Sequence, residues 1–297
     1  MSMKHFAASI SWSALRWPLL ALAVLAFATT ASCAQPAAGC GEVVTVATHD
    51  RTTTRYALGH KDGAPVRGAP IALVLLVGGG GVLDLDAAGC PRALNRNVLI
   101  RMRPFFHEAG LVTALVDAPS DAHGEDGLAG FRTASRHADD LGKVVADLRA
   151  RTGGAVWLVG HSRGTISAAT GAALLSGAAA PEGLVLLSAM MVGDASRRKP
   201  FVAQTVFDPP LEAIAVPVLV LGHEADNCVR SPARLMNAIT ARTRGARQQA
   251  VAVTGGKINP GRPQNTGDCG VGEPHDYVDQ EGAVAAGIVR FVEGGRY

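Results

Sequence analysis

Short apolar segments recur along the chain, separated by longer and more polar stretches. In Ile71–Val77 all seven residues are apolar, and such a continuous run is typical of a strand buried on both faces of a parallel sheet. Val43–Ala47 and Thr52–Leu58 carry alternating β-branched residues, which predicts an N-terminal hairpin around Asp50 and Arg51. Further buried strands are predicted at 112–116, 156–159, 184–187 and 216–221, with a weaker sixth at 250–253.

Amphipathic segments separate the predicted strands. Over 136–151, apolar residues recur at the three- and four-residue spacing of a helix face, as at Leu141, Val145 and Leu148. Helices are also predicted at 165–175, 232–242 and 281–292. Because strand and helix alternate, the pattern predicts one α/β domain with a mostly parallel sheet covered on both faces. Gly255–Glu273 is rich in Gly, Pro, Asn and Asp, which predicts a long loop.

The N-terminal segment differs from this domain. Lys4 and Arg16 precede an apolar run over 19–28, and small residues follow it, which is the pattern of a secretory signal peptide. The run is shorter than the about 20 residues that a membrane-spanning helix needs. We therefore predict a signal peptide over 1–34 and a folded domain over 35–297.

Two processing routes remain open for the predicted signal peptide. Cleavage after Ala34 would release a soluble protein that is periplasmic or secreted. Thr30–Cys33 also resembles a bacterial lipobox, although an aliphatic residue is usual where Thr30 stands, and that route would anchor a lipoprotein through Cys33. Both routes imply an exported protein.

Either route removes Cys33 from the count of free thiols and leaves four of the five cysteines. An even number in an exported chain predicts two disulfides, and four cysteines allow three pairings. Buried free thiols are the alternative. No Cys-x-x-Cys pair occurs, so the sequence does not indicate a zinc site or a redox dithiol. The four cysteines are Cys40, Cys90, Cys228 and Cys269.

Composition and charge exclude two broad classes of protein. The chain has 297 residues, of which 48% are hydrophobic, so general disorder is excluded. Its 28 basic and 25 acidic residues give a formal charge of only +3 and are scattered along the sequence. No nucleic-acid partner is therefore expected.

The main sequence signal for a catalytic site is Gly160–Gly164, which lies between a predicted strand and an Ala-rich predicted helix. This is the Gly-x-Ser-x-Gly pattern in the strand-turn-helix context of a nucleophile elbow. The strained turn lifts the serine oxygen above the sheet edge, and the two glycines remove side chains where strand and helix come close. We predict that Ser162 is a nucleophile; the alternative is a tight turn in which this serine caps the helix.

With this motif the chain resembles the α/β-hydrolase family of serine hydrolases, of the secreted bacterial type, from about Glu42 to Tyr297. The resemblance implies the α/β-hydrolase fold, with a mostly parallel twisted sheet of about eight strands and helices on both faces. In that family the nucleophile is followed by an acid and then by a histidine. Only His223 and His275 follow Ser162. His275 lies in the loop before the last predicted helix, where the family carries its general base.

The acid is expected just after the predicted strand 216–221. The family pattern Gly-x-x-x-Asp selects Asp226, whose role would be to orient His275 and to stabilise its imidazolium form. Glu224 is closer to the strand and is the alternative in the same turn. Asp194, after the preceding strand, is an alternative location within the family.

An oxyanion hole requires two backbone N–H donors. One is expected from Arg163, which follows the nucleophile, and the other from the glycine run 78–81. Gly79 is the expected donor and Gly80 the alternative, because glycine lets the backbone approach a substrate closely. Many relatives carry a histidine just before these glycines, where this chain has Val77. A phosphate-binding loop is a poor interpretation because no Gly-Lys-Ser/Thr follows the run.

The predicted site favours one pairing of the cysteines. Cys228 lies two residues after Asp226, and Cys269 lies six residues before His275. Because Asp226 and His275 must meet in space, a disulfide between these cysteines would join the two loops. Cys40 would then pair with Cys90.

We therefore predict a secreted serine hydrolase that cleaves a carboxylic ester or a related acyl bond in a small-molecule or acyl substrate. No metal or organic cofactor is implied. Only 192–214 lies between one predicted strand region and the next, so little or no cap domain is expected. Peptidases, thioesterases and acyltransferases use the same triad, and a non-catalytic exported binding protein of this fold is the alternative from a different class.

Overall fold

The computed structural model describes residues 40–194, 196, 199–258, 261 and 263–297. The predicted signal peptide over 1–34 and both processing routes, including lipidation of Cys33, lie outside these residues. Among the helices of the described residues, none is long and apolar enough to cross a membrane.

A single sheet of eight strands organises the described part of the chain, with the strand order β1-β2-β4-β3-β5-β6-β7-β8. The first two strands form the predicted antiparallel hairpin, and β2 is also antiparallel to β4. All other neighbours are parallel, which confirms the predicted mostly parallel sheet. The strands are β1 (Glu42–Ala47), β2 (Thr53–Gly59), β3 (Ile71–Leu76), β4 (Val112–Val116), β5 (Ala155–His161), β6 (Gly183–Leu187), β7 (Val218–His223) and β8 (Gln248–Val253).

Five α-helices accompany the sheet in the described residues. They are α1 (Val98–Glu108), α2 (Ser135–Thr152), α3 (Gly164–Leu174), α4 (Met236–Thr240) and α5 (Glu281–Val292). The sequence predicts α2, α3 and α5 to within one residue at each end. The predicted helix at 232–242 is shorter in the structure, because a 3₁₀ turn occupies Ala233–Leu235 before α4 begins.

Helix α1 is not predicted from the sequence. Pro104 lies inside it, and proline normally breaks a helix interior. The structure nevertheless contains a start signal, because the Asn97 side chain accepts a hydrogen bond from the Leu99 N–H as an N-cap. Val98, Leu99, Met102 and Phe106 are buried against the sheet.

Alternate residues of β3 enter two separate hydrophobic clusters. Ala72, Val74 and Leu76 pack with α2, α3 and α4 on one face of the sheet. Leu73 and Leu75 pack with α1 and α5 on the other face. Burial on both faces explains why the residues of β3 are all apolar and do not alternate between apolar and polar.

The segment between β6 and β7 is short and carries no multi-helix cap in its described residues. In its described residues the segment contains two 3₁₀ helices, at Pro200–Ala203 and Leu211–Ala213. This confirms the prediction of little or no cap domain. Residues 195, 197 and 198 lie outside the described part. The Lys199 ammonium forms ion pairs with the carboxylates of Asp126 and Glu125.

A buried histidine on α2 makes the fold sensitive to acid. Burial, with the charge of Arg132 nearby, lowers the pKa of His137 to about 3, and neither of its ring nitrogens has a hydrogen-bond partner among the described residues. The unfolded chain therefore binds a proton that the folded chain rejects between about pH 3 and 6.5. Stability falls as the pH is lowered through this window.

We expect His137 alone to reduce the free energy of unfolding by about 2 kcal/mol between pH 7.5 and pH 5. His137→Leu should reduce the pH dependence by this amount, measured by urea unfolding at both pH values, while other buried histidines such as His161 keep their share. His123→Gln is the control, because the His123 side chain is 37% exposed, and it should keep the wild-type slope. A His137→Leu protein with an unchanged slope would contradict this explanation.

Candidate active site

Ser162 lies in the tight turn between β5 and α3, with a φ of 53°. This left-handed conformation is strained for a residue with a side chain and is typical of functional turns. A Cβ on Gly160 would lie 2.6 Å from the Gly164 carbonyl oxygen, and one on Gly164 would lie 2.0 Å from the Leu76 carbonyl oxygen. Both glycines of the motif are therefore required by close backbone packing. The Ser162 N–H donates to the Leu187 carbonyl at 2.9 Å, which fixes the turn on the neighbouring strand.

His275 and Asp226 meet although 49 positions separate them in the sequence. The distance between His275 Nδ1 and Asp226 Oδ2 is 2.9 Å, and both side chains are buried. Asp226 Oδ1 accepts the Cys228 N–H at 2.8 Å. Both carboxylate oxygens are thus held, so this carboxylate can orient the imidazole.

The second ring nitrogen of His275 is not used in a hydrogen bond to the rest of the described chain. His275 Nε2 is buried and forms no hydrogen bond within the described part of the chain, with Ser162 Oγ or with any other atom. A base and nucleophile that are not yet in hydrogen-bond contact are common before substrate binds. His275 is therefore held by a carboxylate at Nδ1, while its Nε2 has no hydrogen-bond partner among the described residues.

The other candidate residues have different surroundings. His223 Nε2 contacts the Gly255 carbonyl at 2.8 Å, and His223 Nδ1 accepts the Ala225 N–H at 3.1 Å. Glu224 is exposed, and Asp194 pairs with Arg230 at 3.0 Å. Of the three predicted acids, Asp226 is the one that the structure brings to His275.

His161, inside the motif, supports the loop of His275 and was not singled out from the sequence. Burial lowers its pKa to about 4, so its ring is neutral at neutral pH. Its Nε2 lies 3.1 Å from the His275 carbonyl oxygen, and its Nδ1 lies 2.9 Å from Asn97 Nδ2. Nε2 therefore donates to His275, and Nδ1 accepts from the Asn97 amide. Ser188 Oγ donates to the same carbonyl at 2.8 Å.

Asp276 links the loop that contains His275 to helix α1, which the sequence pattern did not predict. Its Oδ1 accepts the Val98 N–H at 2.9 Å, and its Oδ2 lies 2.6 Å from Arg101 Nη1. Arg101 Nη2 also donates to the Asp276 carbonyl at 2.7 Å. The signal that sequence reasoning missed is Asn97 in front of an apolar helix face, which Pro104 obscures.

The glycine run 78–81 forms a turn beside Ser162. Gly81 donates its N–H to the Gly78 carbonyl at 3.1 Å, and Gly79 has a φ of 55°. A Cβ on Gly78 would lie 2.8 Å from Ser162 Cβ, so this turn reaches the serine directly. The backbone N–H groups of Gly79 and Arg163 have no hydrogen-bond acceptor among the described residues. Gly80 shares this property and remains the alternative donor.

Two disulfides are present, Cys40–Cys90 and Cys228–Cys269. The second joins the turn of Asp226 to the loop of His275, as expected for loops that meet. Ligand-type atoms of Asp226, Cys228 and His275 lie within 4.8 Å of one another. Cys228 is bonded in the disulfide and the other two contact each other, so this cluster is not suited to hold a metal ion.

Breaking the Cys228–Cys269 disulfide should lower thermal stability and activity together. In the chain-entropy model a closed loop of about 40 residues stabilises the fold by about 4 kcal/mol. Cys228→Ala with Cys269→Ala should therefore lower the melting temperature and kcat/KM, while circular dichroism shows an intact sheet. Cys40→Ala with Cys90→Ala is the control, and it should reduce stability with a smaller effect on kcat. Equal loss of kcat in both variants would mean that the Cys228–Cys269 bridge has no specific link to the loop of His275.

The eight-stranded sheet and the serine turn after β5 define an α/β-hydrolase fold. Its structure is similar to Est1E from Butyrivibrio proteoclasticus, with a TM-score of 0.55 and 14% identity over 85% of this chain and 98% of that one. Thermogutta terrifontis esterase 2 gives a TM-score of 0.57 and 14% identity over 88% and 98%. XC6422 from Xanthomonas campestris, an α/β serine hydrolase without a lid, gives 0.52 and 16% over 86% and 96%. No family model and no curated protein matches the sequence.

Proposed function

We propose that this protein is an exported serine hydrolase that cleaves a carboxylic ester, or a related acyl bond, through an acyl-enzyme on Ser162. The observation that carries the proposal is the buried contact of 2.9 Å between His275 and Asp226, with His275 Nε2 left free. A strained serine next to a Gly-rich turn supports it. The two disulfides support export, because such bonds persist in oxidising compartments.

In the first half of the proposed reaction, Ser162 Oγ attacks the substrate carbonyl carbon while His275 Nε2 takes the hydroxyl proton. The carbonyl oxygen becomes an oxyanion, which the N–H groups of Gly79 and Arg163 stabilise. When the tetrahedral intermediate collapses, the bond to the leaving alcohol breaks and His275 returns the proton to that alcohol.

In the second half of the proposed reaction, a water molecule enters the site after the alcohol has left. His275 takes a proton from the water, whose oxygen attacks the acyl carbon. The second tetrahedral intermediate then releases the carboxylic acid, and Ser162 regains its proton from His275. Asp226 keeps the imidazole in the tautomer with Nδ1 protonated throughout, and it stabilises the imidazolium.

A hydrolysis screen tests this function. Esters of one chromogenic alcohol with acyl chains of two to about twelve carbons should be compared with the matching thioesters and amides. A fluorophosphonate probe suits the same protein, since Thermogutta terrifontis esterase 2 is phosphonylated by sarin. We expect labelling, and higher kcat/KM for esters than for amides.

The alternatives predict different results in the same screen. Preference for amides would indicate a peptidase, and preference for thioesters a thioesterase. Faster product release on adding a second alcohol or amine would indicate an acyltransferase. A folded protein that neither reacts with the probe nor turns over any acyl compound would be a binding protein of this fold, and the proposal would be wrong.

A further inference from the structure

Arg132 is a buried arginine that the proposed reaction does not use. It lies in the 3₁₀ helix Ala129–Thr133 and is 1% exposed. Within the described residues it forms no ion pair, and its Nε has no hydrogen-bond partner. Burial, together with the nearby charge of Arg163, lowers its pKa to about 9, so the guanidinium remains charged at neutral pH. A buried charge without a counter-ion is costly unless hydrogen bonds compensate it.

The contacts of Arg132 join the turn of Gly78–Gly81 to helix α3, which follows Ser162. Arg132 Nη2 donates to the Gly79 carbonyl at 3.1 Å and more weakly to the Val77 carbonyl at 3.5 Å. Arg132 Nη1 donates to Ser167 Oγ at 2.8 Å, and Ser167 lies on α3, five residues after Ser162. The Val77 and Gly79 carbonyls are on either side of the peptide that carries the Gly79 N–H.

The segment before Arg132 makes a second contact with the same turn. The Leu128 N–H donates to the Gly80 carbonyl at 2.8 Å. A Cβ on Gly81 would lie 2.6 Å from Leu128 Cδ1 and 2.8 Å from Arg132 Nη2. The glycine turn is therefore packed closely against this segment. A planar guanidinium donates in fixed directions, so it can set the orientation of the peptide groups that it holds.

We propose that Arg132 is a positioning residue that holds the turn of Gly78–Gly81 against α3 and keeps the Gly79 N–H directed at the oxyanion. This inference rests on the proposed function, because it requires an oxyanion to form on Ser162. It adds a residue that does not touch the substrate and that acts through the backbone.

Arg132→Met should test the role, with Arg103→Met as the matched control. Arg103 is also buried at 5% exposed, and burial lowers its pKa to about 10. It has no ion pair among the described residues, and its bonds go to Thr113 Oγ1 and the Ala57 carbonyl. We expect Arg132→Met to lower kcat by about 10²-fold while KM changes little, since a misplaced oxyanion donor affects the transition state. Arg103→Met should change stability without this loss of kcat.

A tetrahedral analogue separates positioning from general destabilisation. A trifluoromethyl ketone of the best acyl chain forms an oxyanion on serine, so its affinity for Arg132→Met should fall by about the same factor as kcat. Arg103→Met should bind this ketone as the wild type does. If Arg132→Met does not fold, Ser167→Ala takes its place, and it should lower kcat about fivefold at unchanged KM.

The outcomes distinguish the two proposals. Wild-type protein without probe labelling or acyl hydrolysis would end the proposed function. Active wild-type protein with kcat and ketone affinity unchanged in folded Arg132→Met, or in Ser167→Ala if that variant replaces it, would overturn the role of Arg132 alone. Equal losses of kcat in Arg132→Met and Arg103→Met would also overturn it.

Discussion

Ser162→Ala should abolish labelling by a fluorophosphonate probe and lower kcat by about 10³- to 10⁶-fold. Alanine removes the oxygen that forms the acyl-enzyme in the proposed reaction, while the backbone of the turn is unchanged. The glycine turn and the Arg163 N–H stay in place, so a residual rate above that of water is expected. Labelling detected by mass spectrometry and turnover of the best ester measure the effect.

Ser176→Ala provides a matched control, because Ser176 is exposed just beyond the other end of α3. Its labelling and kcat should equal those of the wild type. Thermal unfolding should show that the Ser162→Ala protein is folded. A folded Ser162→Ala protein that still labels fully would assign the nucleophile to another residue.

Asp226→Asn should keep the fold and lower kcat by about 10⁴-fold. The side-chain carbonyl of asparagine can still accept the Cys228 N–H, which Asp226 Oδ1 accepts at 2.8 Å. The amide group would then face His275 Nδ1 and favour the tautomer with Nε2 protonated. That tautomer cannot take the proton of Ser162. Steady-state kinetics on a neutral ester, together with thermal unfolding, measures the loss.

Glu224→Gln is the control for Asp226→Asn, because both residues lie in the turn after β7 and Glu224 is exposed. We expect kcat within about twofold of the wild type, as for a surface substitution away from the reacting atoms. If Glu224→Gln lost more activity than Asp226→Asn, the acid role would pass to Glu224 and the contact between Asp226 and His275 would be structural.

The local pattern of apolar and polar residues is sufficient to predict much of the fold. The continuous apolar run at β3 reflects burial on both faces, and the helical spacing over 136–151 reflects one buried side of α2. Helix α1 was missed because Pro104 contradicts its local pattern. Its N-cap and its packing against α5 and the sheet outweigh the loss of a backbone hydrogen bond.

The sequence by itself determined that a serine stands on a strand-turn-helix junction, because the two glycines and the apolar strand are adjacent in the chain. Together with the family resemblance, it selected His275 from two histidines and Asp226 from three carboxylates, and it favoured the Cys228–Cys269 pairing among three. Only the tertiary structure brought His275 to 2.9 Å from Asp226 and Arg132 to the carbonyl of Gly79. These contacts join residues 49 and 53 positions apart. Chain spacing leaves such distances undetermined, and the packing of the sheet and its loops sets them.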